Sequence, residues 1–187
     1  MIHSGGDLSY AGPMFEGWTD FFLLAGSAAA VLIGLIFVVI TLMHDRSRSS
    51  VLAGARLYMG PIVLGVSFVL ALSAAALAPV VSRCEFAAIT GLIALWGFVR
   101  GINSVVGIGR LKEAVHWTDV WFYGVLPSLL YLALAAVAAA FWRGWWWAHD
   151  GLAVAITVSL LLAIRNEWDL ITWIAPQQDT PDDSAVR

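Results

Sequence analysis

Five apolar runs, separated by short polar stretches, leave this chain few folds to choose from. They lie at residues 21–43, 59–81, 86–109, 120–141 and 151–173. A helix needs about 20 residues to cross a hydrocarbon core of roughly 30 Å, so each run is long enough to span a bilayer. The runs show no regular polar/apolar alternation, and the strands of an outer-membrane barrel would be only about ten residues long. The expected fold is therefore all-α, a five-transmembrane-helix bundle forming a single domain over residues 1–176, with a disordered polar tail at 177–187. Composition agrees. Of 187 residues, 60% are hydrophobic and 12% charged, and the mean hydropathy of +0.84 calls for lipid rather than water as the main solvent.

Orientation follows from the basic residues, because short cytoplasmic loops carry the excess of Lys and Arg. Arg46, Arg48 and Arg56 follow the first run, Arg110 and Lys112 the third, and Arg165 closes the fifth. The other side holds Arg83 and Arg143, while the amino-terminal segment has Asp7, Glu16 and Asp20 and neither Lys nor Arg. The amino end is expected outside and the carboxyl end in the cytoplasm, with the chain a multi-pass protein of the cell inner (plasma) membrane. Residues 1–17 read as a short external tail. They lack a basic segment followed by an apolar one, so the first span acts as its own insertion signal. With a net charge of −3 and no strongly basic run, no nucleic-acid partner is expected. Cys84 is the sole cysteine, which excludes an internal disulfide and a multi-thiolate metal site within one chain.

Small residues recur at every fourth position in two runs: Gly26, Ala30 and Gly34 in the first, Ser67, Ala71 and Ala75 in the second. Such stripes let helix backbones approach closely in lipid, so spans one and two are expected to form an antiparallel hairpin. Pro61 is expected in the first turn of span two, where its missing N–H costs nothing. Pro127 falls inside span four, where it deprives the Tyr123 carbonyl of its donor and should bend the helix. Most of the ten tryptophans sit at the edges of the runs and read as an aromatic belt.

The densest polar cluster closes the last run, as Arg165, Asn166, Glu167 and Asp169. On a helix, Ala155, Ser159, Ala163 and Glu167 share one face, so a carboxylate sits on the stripe that packs against a neighbour. Arg165 and Asp169 stand four apart and are expected to pair at the surface. In span three, Arg100 lies fourteen residues beyond Phe86, about 21 Å deep at 1.5 Å per residue, while Glu167 lies about 25 Å from Asp150. A lone arginine at the bilayer centre costs roughly 2.5–3.5 kcal/mol on insertion scales. An Arg100–Glu167 pair is therefore expected, with Asn103 and Asn166 as hydrogen-bond neighbours, acting as a structural clasp or as part of an ion path.

Catalytic chemistry finds less support. Glu113 and His116 are spaced like half of a carboxylate-bridged metal motif, but no second such pair is present, and with Asp119 they read as cytoplasmic interface residues beside Arg165 and Asp169. Nucleophile motifs, HExxH and a phosphate loop with its lysine are absent. No catalytic residue, metal or cofactor is expected. Three readings follow: a non-enzymatic accessory or interaction subunit whose partners are the bilayer and a second copy or another membrane protein; an oligomeric ion channel or small transporter with Arg100 and Glu167 on its path; and a cytoplasmic-face enzyme using Glu113, His116, Asp119 and Glu167.

Overall fold

The computed structural model describes residues 14–44, 49–110 and 121–174, and its regular elements are helices. They are α1 (Thr19–His44), α2 (Ser49–Leu77), α3 (Arg83–Arg110), a π-helical turn (Trp121–Val125) running into α4 (Leu126–Arg143), and α5 (Ala148–Ile174). Four of these helices, α1, α3, α4 and α5, are long and apolar enough to cross a membrane; α2 contributes the shorter apolar stretch Ile62–Leu77. In no spanning window is more than 33% of the residues buried in the bundle, so the remaining apolar side chains, Leu24, Val31 and Phe37 among them, face outward, as in a protein dissolved in lipid.

Two hairpins and a fifth helix make the bundle. α1 packs on α2 and α3 packs most extensively on α4, while α5 lies against α2, α4 and α1 and closes the space between the hairpins. Glycines set the closeness of the α3–α4 contact. A Cβ on Gly97 would run into the Tyr131 ring, and one on Gly101 would stand 2.5 Å from Ser128 Oγ. Several hydroxyls on these apolar helices are satisfied within their own turns: Thr90 donates to the Phe86 carbonyl, Ser128 to Gly124 and Ser159 to Ala155, each at 2.7–2.8 Å, while the buried Ser73 hydroxyl has no partner among the described residues.

The hairpin of α1 and α2 forms as expected, but on different stripes. Phe22, Ala25, Ala29 and Ile36 are buried on α1, and Val66, Val69, Ser73 and Ala76 on α2, whereas Ala30, Gly34 and Ala71 face outward. Of the expected small residues Gly26 still meets α2, where its Cβ would stand 3.2 Å from that of Ser73. A spacing of four identifies a stripe but not which of several adjacent stripes a neighbour covers.

Prolines divide the remaining differences. α2 begins at Ser49, so Pro61 lies in its interior and not in a first turn. The polar residues before position 59 interrupt the apolar run but not the helix. Pro127 instead occupies the first turn of α4, where a missing N–H is tolerated, and the helix before it widens into a π turn. The defect expected inside a long α-helix is thus met by a change of helix type. α2 stops at Leu77, two residues before Pro79, and α3 starts on a capping box: Ser82 N–H donates to Glu85 Oε2 at 2.8 Å, and Glu85 N–H donates to Ser82 Oγ at 3.3 Å.

Residues 14–18 correct the expectation of a tail reaching to residue 17. They form a turn, with Trp18 N–H donating to the Phe15 carbonyl at 2.9 Å and Gly17 at φ +85°, a conformation that favours glycine. The turn buries Phe15, at 3% exposure, in an aromatic knot at one end of the bundle. Its ring centroid lies 5.0 Å from Phe22, 4.9 Å from Phe86, 5.8 Å from Phe141 and 5.4 Å from His149. Most of these rings meet edge to face, the arrangement their quadrupoles favour. The expected tail at 177–187 lies outside the described residues.

Candidate functional site

The polar end of α5 is built on its buried face. Leu152, Ile156 and Ala163 pack inward, and the same side of the helix carries Asn166 and Glu167, at 4% and 6% exposure. Ala155 and the half-buried Ser159 lie alongside. The stripe that joins Ala155, Ser159, Ala163 and Glu167 in the sequence is therefore a packing face, and it does bring a carboxylate inside. Glu167 Oε1 is buried and accepts no hydrogen bond among the described residues. Buried polar atoms are nearly always satisfied, and an unsatisfied carboxylate oxygen in such a place calls for a proton, a cation or a water.

A cavity of about 50 Å³ lies between α2, α4 and α5, room for a few waters, and Asn166, the neighbour of Glu167 in the chain, lines it. Most of its lining is apolar, including Ile62, Val69 and Leu134, and its polar side chains are Tyr131, Ser159 and Asn166. Tyr131 reaches this space because Gly97 on α3 leaves room for its ring. Its phenol points toward α2, where a Cβ on Gly65 would stand 3.9 Å from Oη. The sequence carried a signal for this arrangement in Gly97, but only a knowledge of which helix faces α3 connects it to Tyr131.

The other expected site residues divide. Arg165 and Asp169 pair as expected, Nη1 to Oδ2 at 2.8 Å, with side chains 43% and 40% exposed, so the bond contributes little more than a few tenths of a kcal/mol. Among the described residues no ion pair joins Arg100 to Glu167. Arg100 is exposed on α3 and leans toward α2, its Nη2 3.8 Å from where a Cβ on Gly60 would stand. α3 packs on α4, whereas α5 packs on α2, α4 and α1, so helix order separates two residues that depth alone would match. Asn103 is likewise exposed and contributes nothing to the buried cluster. Glu113, His116 and Asp119 lie outside the described residues. Among the described residues, no group of three or more His, Cys, Asp or Glu side chains is placed to hold a metal ion.

His149, at the start of α5, attracts no attention in the sequence beyond its place near the aromatic belt. In the structure it stands in the knot with Phe15 and Phe141, and its Nε2 is buried without a hydrogen-bond partner among the described residues. No known protein family, curated protein or solved structure matches this chain.

Proposed function

We propose that this membrane protein binds a proton or small cation at Glu167 and passes it through the bilayer, as a channel or small transporter of the inner membrane. The observation that carries the reading is the Glu167 carboxylate, buried in a lipid-embedded bundle with an oxygen that no described residue satisfies. A cavity lined by Tyr131, Ser159 and Asn166, the last next to Glu167 in the chain, supplies space for water on the same helix face. Flux into liposomes containing the purified protein tests it: protons or a monovalent cation should move under a gradient, and Glu167→Gln should lower the rate at least about tenfold, the loss of one charge-bearing site on a path. A wild-type protein that is silent under every gradient and voltage, or a variant as active as wild type, would sink the reading.

A second reading, the non-enzymatic interaction subunit, is favoured by the outward face of α3. Leu92, Leu95, Trp96 and Val99 are exposed there in helical register, and Asn103 places a carboxamide on the same stripe. An amide on a lipid-facing stripe is suited to a hydrogen bond across helices, to a second copy or to another membrane protein. Purification in several mild detergents as a lone monomer, with no stoichiometric partner, would count decisively against it.

A further inference from the structure

The turn between α4 and α5 gathers a second set of polar groups at the end of the bundle that holds the aromatic knot. Gly144 ends α4 in the left-handed conformation, φ +69°, with its N–H donating to Phe141 and that of Trp145 donating to Ala140. Two guanidinium groups lie over this turn. Arg143 stacks on the Trp145 ring, its Cζ 5.4 Å from the centroid. Arg83 arrives from the α2–α3 connection, its Nη1 2.7 Å from where a Cβ on Gly144 would stand.

The negative end of α4 accounts for Arg143, which sits in the last turn of that helix. It draws Arg83 as well, whose guanidinium lies over the Gly144 cap although the residue itself opens α3, but a helix end worth about half a charge does not balance two cations. Nor does any carboxylate. Among the described residues neither guanidinium has an ion pair or hydrogen bond; Glu85 is turned back onto Ser82, and Asp150 opens α5. Two like charges brought to one turn repel unless an anion stands between them. Around them Trp142 and Trp146 are 62% and 84% exposed, the side chains that settle at a bilayer's polar boundary.

We propose that Arg83 and Arg143 form a binding site for the phosphodiester of an anionic membrane lipid, with Trp142 and Trp146 seated along its glycerol and upper acyl region. The phosphate lies over the Gly144 turn, bonded by both guanidinium groups, and its acyl chains run down the outer surface of α3 and α4. The site is independent of ion movement at Glu167.

The test is thermal unfolding and lipid retention of the full-length protein in nanodiscs, phosphatidylcholine alone against phosphatidylcholine with phosphatidylglycerol. Phosphatidylglycerol should raise the melting temperature and remain bound through dilution. Its preference should fall by roughly fivefold for Arg83→Gln or Arg143→Gln and more for the double variant, the gain of one basic side chain at an anionic surface being about that size. Replacing both by lysine should restore much of the preference, which separates charge from a folding defect. Equal behaviour in the two lipids, or a double Gln variant that folds and keeps the preference, would overturn the proposal. Inorganic phosphate in phosphatidylcholine discs reproducing the shift would overturn the lipid as its source.

Discussion

Ser82 and Glu85 each satisfy the other's backbone N–H at the start of α3, and the short connection leaves few other groups to do so. Ser82→Ala should therefore destabilise the protein by about 0.5–2 kcal/mol, read from unfolding in detergent, with no change in lipid preference. That capping box is legible in the sequence as Ser-x-x-Glu before an apolar run. The pair between Arg165 and Asp169 was legible for the same reason, since both partners lie on one helix four residues apart. Arg100 and Glu167 mark the limit. Their depths could be estimated from spacing, but whether they meet depends on which helices are neighbours, and α4 takes the place beside α3.

At the level of elements, apolar runs locate the helices and small residues locate their contacts only roughly. α1, α3 and α5 extend the expected runs by one to three residues at each end, because caps and interfacial side chains continue a helix past its hydrocarbon part. α2 departs most, since it runs back to Ser49, well before its apolar stretch Ile62–Leu77 and through Arg56. Gly97 is where the α3–α4 contact is tightest. Gly97→Val should cost about 1–3 kcal/mol by forcing the Tyr131 ring aside, whereas Gly34→Val, at a position with nothing nearby, should leave the midpoint of unfolding close to wild type. Equal effects of the two changes would show that the α3–α4 contact is looser than the glycines imply.

For the whole molecule, membrane embedding and helical class were readable from composition and run length, whereas the order of helices around the bundle was not, because every apolar face looks alike to lipid and to protein. Orientation rests on the basic residues alone. With Cys84 exposed at the start of α3, a membrane-impermeant maleimide tests it. Labelling in intact spheroplasts supports an external α2–α3 turn and an internal α5 end; labelling only after permeabilisation reverses them.

The aromatic knot sets a schedule for biosynthesis. Phe15 leaves the ribosome ahead of all five helices, yet it is covered by Phe86, Phe141 and His149, the last of which arrives only with the final span. Until then its ring has no place in the bundle and must wait in lipid or in the care of the insertion machinery. The earliest described part of the chain is thus the last to be locked, and a nascent protein stalled before α5 would carry an unsealed end that quality-control proteases could read as unfinished.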